Sequence, residues 1–220
     1  MAQIAEDLLL LLLDNASAQP GLEQHRRERV LAAAVLLDLA YACRVRPSMA
    51  ADEVEPGRLV ALSAPGMMDP ISESAFQMLQ RRPMRSVTAV KKLSKRTEND
   101  LTHQLEQSGE IRRIRLQSNR FTHPYAWPLT NRGRVGQARS ALLAALFDRR
   151  PPTPATAAIT TLLHAVDGLG ALLSLNDRGW RWVHARAGEI ASGSWVDEYP
   201  TSMREVNLAV TASALRPALG

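Results

Sequence analysis

Apolar and polar residues recur along this chain mainly with the period of an α-helix, so that one helix face is apolar and the other polar. Helices are predicted over residues 3–13, 22–43, 70–80, 86–107, 139–147, 155–173, 178–191 and 203–215. Residues 58–62 predict a short strand. Residues 111–129 predict a β-hairpin, because basic and apolar residues alternate from Arg113 to Leu116, ahead of a turn at Ser118-Asn119.

The composition fits a single, mostly helical domain over residues 1–220. Hydrophobic residues make up 45% of the chain and charged residues 22%, which is ordinary for a globular protein. Aromatic residues make up only 5%, while alanine and leucine dominate, and this balance favours helices over sheets. One cysteine, Cys43, excludes an intramolecular disulfide and suggests a reducing compartment.

Two apolar runs have some features of membrane segments. Leu8–Leu13 is short against the roughly 20 residues that span a bilayer, and acids precede it where a secretory signal carries positive charge. The longer stretch 155–173 contains His164, Asp167 and three threonines, which indicates a core helix. We therefore expect a cytoplasmic protein.

Positive charge is concentrated in the middle third of the chain. Residues 74–150 hold 16 lysines and arginines against 5 acids, a net charge of +11, while the whole chain carries +5. Residues 74–97 contain no acid and the following bases: Arg81, Arg82, Arg85, Lys91, Lys92, Lys95 and Arg96. Four of these stack in pairs one turn apart on the predicted helix 86–107, where like charges repel. An anionic partner would offset that repulsion.

An anionic membrane surface is the first candidate partner. The helix cations that would meet lipid head groups are Lys91, Lys92, Lys95 and Arg96. Phe121, Tyr125 and Trp127 follow the predicted hairpin turn and would reach the head-group level, which such aromatic residues favour. Each base near the surface contributes on the order of 1 kcal/mol, so docking should be reversible. Alternatively, the three aromatic residues form a small satellite core beneath the hairpin.

Two other functions follow from the same residues. A winged-helix DNA-binding protein also ends in a helix followed by a hairpin, and its basic residues contact DNA phosphates. The predicted helix 86–107 and the predicted hairpin after it have the same order. Nucleic acid is disfavoured, because the exposed helix face is mainly lysine and residues 81–86 are a poor tight turn between helices. The third alternative is a protein-interaction scaffold that binds neither polyanion.

No motif for catalysis, metal binding or a cofactor is present. The chain has no glycine-rich phosphate loop, no nucleophile elbow and no Cys/His cluster at metal spacing. His164 and Asp167 share one face of a predicted helix, but no third ligand or nucleophile accompanies them. A buried histidine satisfied by a polar neighbour is the simpler interpretation. We expect a non-catalytic protein with no cofactor.

A series of short motifs runs along nearly the whole chain. The motifs are Ala5-Glu6-Asp7-Leu8-Leu9-Leu10-Leu11, Leu36-Leu37-Asp38-Leu39-Ala40, Ala64-Pro65-Gly66 with Asp69-Pro70, Leu105 to Ile111, and Leu162-Leu163-His164-Ala165-Val166-Asp167. Each motif alone is weak. In this order, they resemble the Golgi phosphoprotein 3 family, in its bacterial branch.

The resemblance implies a mostly α fold, with a central helical bundle wrapped by amphipathic helices and one protruding β-hairpin. It implies a peripheral membrane protein that binds phosphatidylinositol 4-phosphate and associates reversibly with the inner membrane surface. The hairpin of family members serves self-association and membrane contact, which implies a homo-oligomer. Their protein partners include glycosyltransferase tails.

The resemblance also implies site residues. In the family, the head group is held by a tryptophan and an arginine near the second helix and by two bases on the helix before the hairpin. Counted along the motifs, these positions fall on Glu23, Ala32, Lys95 and Glu98, so Lys95 alone is a base, with Arg29 and Arg96 as nearby substitutes. The predicted head-group residues are Lys95, Arg96, Lys91, Lys92 and Arg29. The predicted hairpin contacts are Arg113, Arg115, Phe121, Tyr125 and Trp127.

Overall fold

The computed structural model describes residues 3–116, 125–197 and 202–220. The helices in these ranges are α1 (Gln3–Leu13), α2 (Gln24–Tyr41), α3 (Pro70–Arg81), α4 (Ser86–Gln107), α5 (Gly133–Phe147), α6 (Pro154–Ala165), α7 (Asp177–Ala191) and α8 (Met203–Leu215). The strands are β1 (Val45–Pro47), β2 (Arg58–Ala61), β3 (Met84–Arg85), β4 (Ile114–Arg115) and β5 (Tyr125–Ala126). The predicted mostly helical fold with a β-hairpin is confirmed.

Helix α2 forms the centre of the bundle. Every residue from Val30 to Ala40 is buried, and helices α1, α3, α4, α6 and α8 pack against α2. A helix that is apolar on all sides is stable only when neighbours cover every side. The sequence of this segment therefore determines that the other helices wrap around it.

The two apolar runs noted in the sequence are core helices. All of Leu8–Leu13 is buried within α1, and all of Ala157–Leu163 is buried within α6. Across the described ranges, no helix combines the length and the apolar character needed to cross a bilayer.

A carboxylate in the last turn of α2 fixes the start of α1. Asp38 accepts hydrogen bonds from the backbone N–H groups of Ile4 (2.8 Å) and Ala5 (3.1 Å). These amides lie in the first turn of α1, where no partner exists within the helix. Burial raises the pKa of the Asp38 carboxyl well above its ordinary value. The acid in the apolar Leu36–Ala40 motif is therefore the cap of a neighbouring helix.

A three-stranded antiparallel sheet sets the position of α3 relative to α4. Strand β2 pairs with β1 on one side and with β3 on the other, where Leu59 lies opposite Met84. Pro83, just before β3, prevents α3 from continuing. The strand predicted over residues 58–62 is confirmed. Strands β1 and β3 are too short, at three and two residues, to show an alternating pattern in the sequence.

The β-hairpin follows α4, whose bounds match the prediction. Gly109 has a φ of +76° and ends the helix, a conformation that glycine adopts at little cost. Ile114 then lies opposite Ala126 in the hairpin ladder. The predicted turn at Ser118-Asn119 lies outside the described residues.

Helix α6 is shorter than predicted, ending at Ala165 and not at Leu173. Asp167 has a φ of +51°, and a right-handed helix cannot continue through a residue in that conformation. At Gly168, an added Cβ would lie 3.0 Å from the side chain of Val166, so the chain turns in close contact with itself.

Helix α5 is longer than predicted, beginning at Gly133 and not at Arg139. Glycine in its first turns disfavours a helix in isolation. Ion pairs with α1 compensate, because the guanidinium of Arg134 lies 2.6 Å from Glu6 and 2.7 Å from Asp7. The two acids of the N-terminal motif therefore anchor α5 to α1.

Candidate functional site

The cations of α4 lie on an exposed face, here called the α4 cationic face. Its members are Lys91, Lys92, Lys95 and Arg96, all exposed. Val90, Thr97 and Leu101 are buried on the opposite side of the helix. The three lysines of this face are the only lysines in the sequence. The helical spacing thus separates cations from core side chains, as the amphipathic pattern predicts.

Part of the α4 cationic face borders a groove of about 570 Å³ between α3 and α4, here called the α3/α4 groove. Its lining includes four cations: Arg81 and Arg82 from the end of α3, and Lys92 and Arg96 from α4. Apolar side chains, among them Val35, Met78 and Leu93, also line the groove. Among the described residues that line the groove, Asp100 alone is acidic. The groove therefore combines a cationic rim with an apolar base.

The four groove cations form no ion pair or hydrogen bond through their side chains with any part of the chain that the structure describes. Other arginines do have partners. Arg46, Arg58 and Arg134 each lie 2.6–2.7 Å from a carboxylate oxygen. Unpaired charges of one sign around a concave surface attract counter-ions more strongly than the same charges scattered over a convex one.

Local sequence explains how these cations come together. Pro83 ends α3, so Arg81 and Arg82 stand at the helix C-terminus, where the negative end of the helix dipole favours positive charge. Strand β3 forms the short connection between α3 and α4, and α4 begins at Ser86. The first turns of α4 thereby run beside the end of α3.

The flank of α4 that faces α2 carries a neutralised pair. Arg27 of α2 donates hydrogen bonds to Glu98 and to the carbonyl of Leu22, both at 2.8 Å. The Arg27 and Glu98 side chains are only 8% and 20% exposed. Ala32 is fully buried in the core. Two of the positions that the resemblance implied for the head group are thus a core residue and one half of an internal ion pair.

The remaining implied residues do not complete a cationic pocket on this flank. Glu23 is exposed and lies 3.6 Å from Arg26. Arg29 donates a hydrogen bond to the carbonyl of Gly220 at 2.7 Å and does not line the α3/α4 groove. Lys95 and Lys91 stay exposed on α4, outside the groove lining.

The hairpin holds its basic and aromatic residues in different surroundings. The Arg113 guanidinium stacks over the Tyr125 ring at 5.2 Å, and Arg115 is exposed. Trp127 is half-buried against the core, with its backbone N–H bonded to the carbonyl of Ala18 at 2.7 Å. Trp127 thus packs on the main hydrophobic core of the bundle. Phe121 lies outside the described residues.

Arg81 and Arg82 were missing from the predicted head-group residues. Both belong to the acid-free stretch 74–97, but they precede Pro83 and so fall on a different predicted helix from the α4 cations. In the structure, β3 connects α3 to α4, and the two pairs meet at one groove. The acid-free stretch is the sequence signal that could have identified them.

The polar neighbour expected to satisfy His164 is not found at its Nδ1 atom among the described residues. Asp167 lies 3.9 Å from His184. The rings of His164 and His184 are tilted relative to each other, with 5.9 Å between their centroids. The Nδ1 atom of His164 is enclosed and has no hydrogen-bond partner among the described residues. Burial lowers the pKa of His164, which favours the neutral ring. In the same ranges, no group of three or more His, Cys, Asp or Glu side chains could hold a metal ion.

Comparison with known proteins gives one family. No curated protein matches the chain significantly. The sequence model of Golgi phosphoprotein 3 (GPP34) matches residues 4–205. The match includes α1 to α7, and with them the α4 cationic face, the α3/α4 groove and the hairpin. The chain therefore belongs to the Golgi phosphoprotein 3 family.

Proposed function

We propose that this protein is a single-domain, non-catalytic peripheral membrane protein that docks reversibly on anionic lipid head groups. The observation that carries the proposal is the α3/α4 groove, in which Arg81, Arg82, Lys92 and Arg96 face solvent without an acidic partner among the described residues. Lys91 and Lys95, on the same exposed face, add longer-range attraction. Family membership supports a lipid-binding or adaptor role.

The expected affinity is modest. Each base held near an anionic membrane contributes about 1 kcal/mol, so the four groove cations together give about 4 kcal/mol, or a millimolar dissociation constant. The exposed lysines would tighten this further. A protein held this way would leave the membrane when salt rises or when anionic lipid is depleted.

The proposed recognition is of charge and not of one lipid. Phosphatidylinositol 4-phosphate is the ligand that the family implies, yet the implied position Glu98 places a carboxylate on that flank of α4, already paired with Arg27. Because the two charges cancel, this pair offers a phosphate no net attraction. We expect vesicles containing phosphatidylinositol 4-phosphate to bind no more tightly than phosphatidylglycerol vesicles of equal surface charge.

Vesicle co-sedimentation tests the proposal. The wild type should sediment with phosphatidylglycerol vesicles at low salt, release as sodium chloride is raised, and ignore neutral phosphatidylcholine vesicles. A Lys92→Glu/Arg96→Glu variant should lose binding. Arg178→Glu/Arg181→Glu, which reverses the same number of exposed charges on α7, is the matched control and should bind as the wild type does.

Two outcomes would refute lipid docking. Equal sedimentation with anionic and neutral vesicles at low salt would leave a protein-interaction scaffold as the better account. A gel shift of duplex DNA under the same conditions, with a steep dependence on salt and no vesicle binding, would instead favour nucleic acid.

A further inference from the structure

A second groove lies on another side of the bundle, between α5 and α7. Its volume is about 730 Å³, in the range of sites that bind ligands or side chains of a partner. We call it the α5/α7 groove. Phe147 lines it from α5, and Arg178, Arg181 and Trp182 line it from α7.

The groove exposes aromatic surface that a folded chain would normally bury. Trp182 is 49% exposed and Phe147 is 37% exposed. No other tryptophan, tyrosine or phenylalanine in the described ranges is among the exposed large hydrophobic residues. Single exposed apolar residues are ordinary, but two aromatic side chains in one groove mark a contact surface.

The ring of Trp182 is held in place before any partner arrives. The guanidinium of Arg149 stacks over it, 5.5 Å from the ring centroid. Arg149 is itself fixed by two hydrogen bonds to the Glu189 carboxylate, at 2.9 Å and 2.7 Å. Glu189 accepts a further hydrogen bond from the buried Arg186 at 2.9 Å. A fixed aromatic anchor loses little conformational entropy on binding, which makes it an effective contact.

The charge around the groove is positive. Arg178 and Arg181 are exposed, and none of the described residues that line the groove is acidic. Asn176, also in the lining, caps α7, so the positive end of this helix dipole lies at the groove. Asp177, the nearest acid in the sequence, is not part of the lining. A complementary partner therefore carries an apolar anchor and carboxylates close to it.

The position of the groove favours a protein partner over a membrane. Helix α7 packs on α5 and α6, while α4 packs on α1, α2 and α3. Helices α1 and α2 thus separate the two grooves. The two grooves share no lining residue, so lipid at the α3/α4 groove leaves the α5/α7 groove available to a separate protein partner.

We propose that the α5/α7 groove is the docking site for an acidic segment of a partner protein that inserts an aromatic or leucine side chain beside Trp182. The site is separate from the lipid-docking surface, and either one can be present without the other.

Selection from a random peptide library displayed on phage tests this proposal. The bait is the full chain, and the competitor is the Trp182→Ala/Arg178→Glu/Arg181→Glu variant. Selected peptides should pair an aromatic residue or leucine with Asp or Glu. Synthetic copies should bind Trp182→Ala at least about tenfold more weakly than the wild type, as expected for an aromatic hot spot.

The controls separate this site from the lipid surface. Lys92→Glu/Arg96→Glu should bind the selected peptides normally, and Trp182→Ala should bind anionic vesicles normally. All substituted residues are exposed, and matching thermal melts would verify that each variant is folded. The proposal is overturned by a lack of enrichment over the competitor, by enrichment of basic peptides, or by loss of vesicle binding in Trp182→Ala.

Discussion

The two flanks of α4 both carry arginine but place it in opposite surroundings. On the α2 flank, the Arg27 side chain is 8% exposed and its charge is neutralised by Glu98 at 2.8 Å. On the α3 flank, Arg96 is exposed in a groove that it shares with three more cations and a single acid. The comparison shows that a charge count does not locate a binding surface, because what matters is which charges remain unpaired and open to solvent.

The same comparison separates stability from function. Removing the partner of a buried charge lowers the free energy of unfolding by several kcal/mol. An exposed charge contributes little to folding, and its value lies in what it attracts. Arg27 should therefore matter for the folded state, and the groove cations for binding.

The largest expected effect is on folding. Arg27→Ala breaks the mostly buried ion pair between Arg27 and Glu98, and should lower the free energy of unfolding by about 3–5 kcal/mol. Arg96→Ala changes the same residue type on the other flank and should stay within about 0.5 kcal/mol of the wild type. Urea unfolding measures both. Equal losses in the two variants would remove the distinction between the flanks.

The next largest effect is on vesicle binding. Lys92→Glu/Arg96→Glu should weaken binding to phosphatidylglycerol vesicles by at least about 2 kcal/mol, or about thirtyfold, because two bases that line the groove are lost. Lys91→Glu/Lys95→Glu reverses two charges on the same helix outside the groove lining and should cost clearly less. If both pairs weaken binding equally, the whole α4 face is the site and the groove has no special role.

Much of this architecture could be predicted from the sequence, because its signals are local. The almost wholly apolar stretch of α2, the proline at the start of α3 and the amphipathic spacing of α4 each indicate their helix. The groove could not be predicted, since it depends on β3 pairing with β2, and a two-residue strand has no pattern of its own. The ion pair between Arg27 and Glu98 could not be predicted either, because 71 residues separate them in the sequence.

A smaller effect tests whether the end of α3 belongs to the site. Arg81→Ala and Arg82→Ala should each weaken vesicle binding by about 1 kcal/mol, or about fivefold. Arg85→Ala is the matched control. Arg85 is exposed and lies in the same acid-free stretch, but it does not line the groove, so its loss should have little effect. If all three substitutions weaken vesicle binding equally, Arg81 and Arg82 do not belong to the lipid-binding site.

The smallest expected effect has the opposite sign. Asp100 is the one acid of the groove lining, and Asp100→Asn removes its repulsion of lipid phosphates. Vesicle binding should strengthen by less than about 1 kcal/mol, or up to about fivefold. Glu73→Gln, on a half-buried acid of α3 outside the lining, is the control and should leave binding unchanged. If Asp100→Asn instead binds vesicles more weakly, the lipid phosphate does not lie beside Asp100.

The most direct test of lipid docking at the α3/α4 groove uses the unmodified protein. Its only lysines are Lys91, Lys92 and Lys95, so an amine-specific acetylating reagent reports on this face alone among its side chains. Mass spectrometry would give the acetylation rate of each lysine with phosphatidylglycerol vesicles and with phosphatidylcholine vesicles. We predict that anionic vesicles slow acetylation of Lys92 the most, and that neutral vesicles change nothing. Unchanged acetylation of Lys92 on bound protein would contradict docking through the groove.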